Sequence, residues 1–233
     1  MKRTVLAAAL MASSAVAFAG GSYVTGNVQS HSTDMHGSSM TSTLEAGHTF
    51  DTTDRGGLTI LTEFDGIQIG NAAVQGQSSN PYITLGIEQS YNLTDHLWAA
   101  VGYHHLMQNG DLKQARPLFK VGYNFDNGIS ISNRTRWQLD QTGAEGDADN
   151  IRTDNAISYQ LANAPVQLKY NNVYNWKDNS ATDADEKTMD HEFRATWTKP
   201  GVQPYIEWRN QGNGNEDHQK VNNAFVLGAS VGF

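Results

Sequence analysis

From residue 20 onward the chain is a succession of short runs in which apolar and polar side chains alternate. Twelve can be counted, at about 22–29, 40–50, 57–67, 81–92, 96–106, 114–125, 128–139, 150–161, 165–176, 187–199, 201–210 and 221–233. A two-residue period belongs to β-strands, and no stretch carries a helical period of useful length. Most runs are close to the ~9–11 residues that a tilted strand needs to cross a bilayer. No apolar stretch is long enough for a membrane helix, so residence in a membrane would require strands closed into a barrel. The competing fold is a secreted β-sandwich.

The connections separate the two. Short ones (Asp51–Gly56, Asn92–Asp95, Asp126-Asn127-Gly128, Ala162–Pro165, Lys199–Gly201) alternate with longer ones at Ser30–Ser39, Gln68–Asn80, Met107–Lys113, Asp140–Asp149, Lys177–Glu186 and Gln211–Lys220. Short turns on one side and long loops on the other are the arrangement of outer-membrane barrels. Both chain ends then lie on the short-turn, periplasmic side, and the strand number is even. Pro81, Pro165 and Pro200 fall at strand starts or turns, Pro117 and Pro204 near strand ends. Strand direction also sorts the aromatic residues into two girdles. Phe50, Tyr91, Tyr123, Phe125, Tyr159, Trp197 and Phe233 are expected at the periplasmic interface, and Phe64, Tyr103, Trp137, Tyr174, Trp176 and Trp208 at the other. The expected fold is therefore all-β, a transmembrane antiparallel β-barrel of 12 strands.

The N-terminus points to the same compartment. Lys2 and Arg3, the apolar Val5–Leu10 with Met11, and Ala17-Phe18-Ala19 read as a signal peptide over residues 1–19, leaving 20–233 as the barrel. The formal net charge of −8 becomes two units more negative without Lys2 and Arg3, which argues against nucleic acid as a partner. An exported chain without cysteine fits a bacterial envelope better than a disulfide-stapled secreted domain. A hydrophobic content of 38% excludes a helical membrane protein but not a water-filled barrel, whose inward residues are polar.

Parity then fixes what faces the lumen. In the seventh run Ile129, Ile131 and Leu139 point outward, so Ser130, Ser132, Arg134, Arg136 and Gln138 point inward. In the ninth, Val166, Leu168, Tyr170 and Tyr174 are outward with Lys169 and Asn171 inward; in the eleventh, Val202, Ile206 and Trp208 are outward with Tyr205, Glu207 and Arg209 inward. Runs six to eleven supply inward Arg116, Lys120, Arg134, Arg136, Arg152, Lys169, Arg194 and Arg209, together with Asp154, Asp190, Glu192 and Glu207. Runs two to four supply Glu45, Glu63, Asp65 and Glu88 and no base. A basic wall opposite an acidic arc sets a transverse field across a narrow aqueous pore, which orients charged or dipolar solutes. Arg suits that wall because its planar fork pairs with a carboxylate at two points.

The final Phe225-Val-Leu-Gly-Ala-Ser-Val-Gly-Phe233 resembles the C-terminal signature of outer-membrane barrels, whose last aromatic is read by the assembly machinery. The stretch Arg116-Pro-Leu-Phe-Lys120-Val-Gly-Tyr123 before the Asp126-Asn127-Gly128 turn adds to this, as do Gly128–Gln138 with its inward arginines and Val202-Gln-Pro-Tyr-Ile-Glu-Trp208-Arg209. Together with chain length, these resemble the oligogalacturonate-specific (KdgM-type) porin family. The resemblance implies a monomeric twelve-stranded outer-membrane channel for acidic oligosaccharides, sialic acids included. It assigns the basic pore track to Arg134, Arg136, Lys120, Lys169, Arg194 and Arg209. Expected partners are oligosaccharide solutes, outer-membrane lipids and lipopolysaccharide, and the assembly machinery through Phe233; no cofactor is expected.

Other patterns weigh less. His104 and His105 are adjacent in a strand and point to opposite faces, so they are read as interface or rim residues rather than metal ligands. Asp147-x-Asp149 and Asp183-x-Asp185-Glu186 are read as solvated loop acids, with calcium bridging to lipopolysaccharide as the alternative. Asn92-Leu-Thr94 and Asn133-Arg-Thr135 are chance matches to a glycosylation tripeptide. The alternative functions are an outer-membrane barrel enzyme of lipase or protease type, a plugged structural barrel, and an adhesin. An enzyme needs a nucleophile, base and orienting group near the outer rim, and beside His191 no serine stands at a convincing cross-strand position.

Overall fold

The computed structural model describes residues 21–69, 80–143, 149–177, 186–212 and 221–233. They form twelve antiparallel strands: β1 (Gly21–Met35), β2 (Ser38–Thr53), β3 (Gly56–Gln68), β4 (Tyr82–Asn92), β5 (Leu97–Gln108), β6 (Asp111–Asn124), β7 (Ile129–Asp140), β8 (Asn150–Gln160), β9 (Val166–Lys177), β10 (Glu186–Trp197), β11 (Gln203–Gly212) and β12 (Val221–Gly232). Each pairs with its sequence neighbour, and β12 returns to β1, closing the barrel. Closure removes the unpaired edges that an open sheet would leave in lipid. The seam runs from Tyr23↔Gly232 to His31↔Ala224 and ends in a reciprocal backbone pair between Ser22 and Phe233. No helix among the described residues is long and apolar enough to cross a membrane.

Two of the connections expected to be long loops are tight turns. β1 and β2 continue past residues 30 and 39 to a two-residue turn at His36-Gly37, and β5 and β6 meet at Asn109-Gly110. Both central residues of each turn have positive φ (52° and 73°; 59° and 87°), the backbone of a type I′ hairpin that matches strand twist. Longer strands also move Pro117 into the interior of β6, where the β6–β7 ladder is interrupted between Ala115↔Leu139 and Leu118↔Arg136. Proline has no N–H to donate there.

The outer face is apolar and exposed, as at Ile60, Leu85, Ile87, Val101, Phe119, Ile206 and Leu227. Phe50, Tyr91, Tyr123, Phe125, Tyr159, Trp197 and Phe233 are exposed towards the end carrying the Asp54-Arg55 and Asp126–Gly128 turns. Tyr103, Trp137, Trp176 and Trp208 are exposed towards the other end, while Phe64 and Tyr174 are half-buried. The inner face is mostly polar, with Trp98, Leu106, Leu118, Val173, Tyr205 and Val226 buried among the polar groups. Two of these rings lie against glycine notches on neighbouring strands: a methyl group on Gly122 would collide with Trp98, and one on Gly228 with Tyr205.

Candidate functional site: the charged lumen

Pleating places Arg116, Lys120, Arg134, Arg136, Arg152, Lys169, Arg194 and Arg209 on the inner face of β6 to β11, with Glu45, Glu63, Asp65 and Glu88 on the inner face of β2 to β4. Register then decides which of these charges meet.

Three carboxylates are each bracketed by two basic side chains. Asp154 on β8, 3% exposed, accepts Arg134 Nε and Nη2 at 2.9 Å from the directly paired β7 residue. It also accepts Arg152 Nη2 at 2.8 Å from two positions along its own strand. Glu207 on β11 accepts Arg194 from the paired β10 position and Arg209 from its own strand. The Arg194 guanidinium also stacks 4.2 Å from the Tyr205 ring centre, and Arg209 reaches Gln29 Oε1 at 3.2 Å. Glu88 on β4 accepts Lys120 Nζ at 2.5 Å and lies 2.9 Å from His104 Nε2. Such pairing satisfies groups that would otherwise be costly to bury.

Glu88 is thereby bonded to the basic side of the lumen, which corrects its assignment to an opposed acidic arc. His104 is likewise corrected: it is 5% exposed inside the barrel, not at a rim, while His105 faces outward beside Tyr103. The parity of Trp98-Ala100-Gly102-His104-Leu106 carried that signal, since these even-numbered residues share the inward face of β5. No group of three or more His, Asp or Glu among the described residues converges on a metal-sized point. Asp147, Asp183 and Asp185 lie outside the described residues, and Glu186 begins β10.

Two arginines stand apart. Arg136 is 8% exposed, and its Nε is buried without a hydrogen-bond partner. Its direct cross-strand neighbour on β8 is Arg152, a like charge. Arg116 gives its Nε to the neutral Gln114 Oε1 at 2.7 Å. Neither is bonded to a carboxylate among the described residues. Adjacent like charges destabilise a sheet, so this group of four guanidiniums around one carboxylate leaves a net positive site in the lumen wall. Facing it electrostatically is Glu63, which feels Arg136 and Arg134 as well as Glu45 and Asp65. Glu45 and Glu63 are directly opposed on β2 and β3. Tyr23 Oη donates to Glu45 at 2.6 Å, and Thr43 Oγ1 to Asp65 at 2.6 Å. Sequence reasoning missed Tyr23 and the amide residues Asn27 and Gln29 that extend its inner face.

Arg116 and Arg136 are thus lumen guanidiniums that no carboxylate among the described residues bonds, with Glu63 acting on both at longer range. No curated protein matches the chain by sequence. In fold it is similar to an outer membrane channel from Pseudomonas putida F1 (TM-score 0.64, 16% identity, 92% of this chain and 96% of that one). It is also similar to a KdgM porin (TM-score 0.59, 10% identity, 91% and 99%) and to a KdgM porin in complex with disordered oligogalacturonate (TM-score 0.60, 10% identity, 91% and 99%). The family model for the oligogalacturonate-specific porin protein matches residues 57–233. The chain belongs to the oligogalacturonate-specific porin (KdgM) family.

Proposed function

We propose that the protein is an outer-membrane channel for diffusive uptake of small hydrophilic solutes, chiefly acidic oligosaccharides. The observation that carries this is the Arg136–Arg116 pair, left without carboxylate partners inside a lumen where Asp154, Glu207 and Glu88 each bind two bases. A sugar carboxylate supplies the missing acceptor, while Glu45, Glu63 and Asp65 keep the far side hydrated and restrain attraction. A unit-charge pair ~4 Å apart in water is worth only about 1 kcal/mol, which permits release as well as capture. Lys120, Arg134, Arg152, Lys169, Arg194 and Arg209 form the wall along which the solute passes, with Arg116 and Arg136 as its anion-selective point. The protein acts as a pore and not as an enzyme. It sits among outer-membrane lipids and lipopolysaccharide, reached by export on residues 1–19 and assembly through Phe233.

Single-channel recording in planar bilayers tests this. Replacing Arg116 and Arg136 together by Gln should move the reversal potential towards cations and weaken block by trigalacturonate. Wild-type reversal potential and block in the double variant would remove these residues as the filter and the acidic-solute reading with them.

A further inference from the structure

The lumen acids divide into two kinds. Asp154, Glu207 and Glu88 are each bracketed by bases, whereas Glu45, Glu63 and Asp65 have no base bonded to them among the described residues. Hydroxyls serve two of these three: Tyr23 Oη donates to Glu45 and Thr43 Oγ1 to Asp65. Glu63 has no hydrogen bond among the described residues, and its direct neighbour across the β2–β3 ladder is Glu45. Like charges directly opposite each other destabilise a sheet. Three carboxylates are therefore held together here at a cost that pairing avoids elsewhere in the same lumen.

These acids and the Arg116–Arg136 group stand on either side of one stretch of wall. Inner-face rows run Leu61↔Gly86↔His104↔Arg116 and Glu63↔Thr84↔Leu106↔Gln114. Glu63 on β3 and Arg116 on β6 are thus three strand spacings apart and one inward position out of row. Three spacings are roughly 14 Å along the wall, and the long side chains at both ends shorten the gap. It is short enough for Glu63 to feel Arg136 and Arg134, and for Arg116 to feel Glu63 and Asp65. No ion pair among the described residues closes it. On the basic side Arg136, 8% exposed, keeps its Nε without a hydrogen-bond partner.

Resting on the reading of the protein as a channel for acidic sugars, we infer that Glu45, Glu63 and Asp65 form an ammonium subsite facing Arg116 and Arg136. The preferred solutes are then zwitterionic sugars, which bear a protonated amine as well as a carboxylate. A purely anionic sugar satisfies the two guanidiniums but brings its charge towards three carboxylates that repel it. A solute with both charges meets both sides, its carboxylate on the guanidiniums and its ammonium on Glu63 and the flanking acids. An ammonium brings three N–H donors to carboxylates that can only accept. The field across the lumen aligns such a dipole, and its zero net charge limits the pull that would otherwise retain it.

Muramic acid and N-acetylmuramic acid make a matched probe pair. Both carry a carboxylate, and only muramic acid has a free amine, which is protonated in mildly acidic buffer. In liposome-swelling assays with the wild-type channel, muramic acid should enter several-fold faster than its N-acetyl form. Replacing Glu45 and Glu63 together by Gln should abolish that difference and strengthen block by trigalacturonate, whose repulsion it removes. If the double variant fails to fold, Asp65→Asn takes its place. Equal entry of the two sugars through the wild type overturns the inference. So does a preference for muramic acid that persists in the folded variant, since it would report size alone. The channel reading fails on a separate result, trigalacturonate block that survives exchange of Arg116 and Arg136 for Gln.

Discussion

At the scale of single residues, the lumen is defined by which charges remain after pairing. Asp154, Glu88 and Glu207 each hold two bases, so exchanging one of these acids affects more than its own charge. Asp154→Asn would leave Arg134 and Arg152 without their carboxylate beside Arg136. Its expected stability loss is roughly 3–5 kcal/mol, the usual cost of breaking a buried pair from one side. It should also move the reversal potential towards anions, opposite in sign to the Arg116 and Arg136 exchange. Urea titration and bilayer recording of the same variant read the two effects separately, and no shift in selectivity would mean that Asp154 lies away from the conduction path. The inner rings obey packing rather than charge. Gly122→Leu should lower folded yield because of Trp98, and Trp98→Ala should restore part of it, with a coupling of roughly 0.5–3 kcal/mol in denaturant midpoints. Additive effects would show that the notch is unimportant.

At the scale of elements, the hairpins show where a polar stretch is strand and where it is loop. The β1–β2 and β5–β6 connections read as loops because alternation fades towards their outer ends, yet beyond a register shift in each ladder both pair again at Met35↔Ser38 and Gln108↔Asp111. Beyond the bilayer a strand needs no greasy face, so alternation fades while pairing continues. What remained legible were the turn residues, Asn109-Gly110 above all. Gly110 has φ of 87°, and a methyl group added to it would meet open space, so substitution there acts through the backbone alone. Gly110→Val should destabilise by about 1–2 kcal/mol, and Gly110→Asn by less. Equal denaturant midpoints for both variants would refute a type I′ requirement.

At the scale of the whole molecule, closure depends on one seam. The reciprocal backbone pair between Ser22 and Phe233 ends the β1–β12 ladder, and the Phe233 ring is 78% exposed on the outside. The ring therefore adds little to internal packing. Phe233→Ala should reduce the heat-modifiable folded fraction in membranes while leaving the stability of the assembled barrel close to wild type. Unchanged folded yield would remove the residue from assembly.

The sequence alone determined strand number, direction and face, because a two-residue period fixes orientation wherever one face meets lipid and the other water. From Ile131 and Leu139 it follows that Arg134 and Arg136 point inward, whatever the neighbouring strands do. It also determined that His104 and His105 part company, though not that His104 meets Glu88. Only the tertiary structure decided which lumen charges are neutralised. Arg134 and Arg136 are equivalent in sequence terms, yet register places Asp154 opposite one and Arg152 opposite the other. Likewise Asn133, Asn155 and Asn172 lie far apart in the chain. Cross-strand pairing alone gathers them into one polar patch, because residues remote in sequence become neighbours only when the ladder is in register.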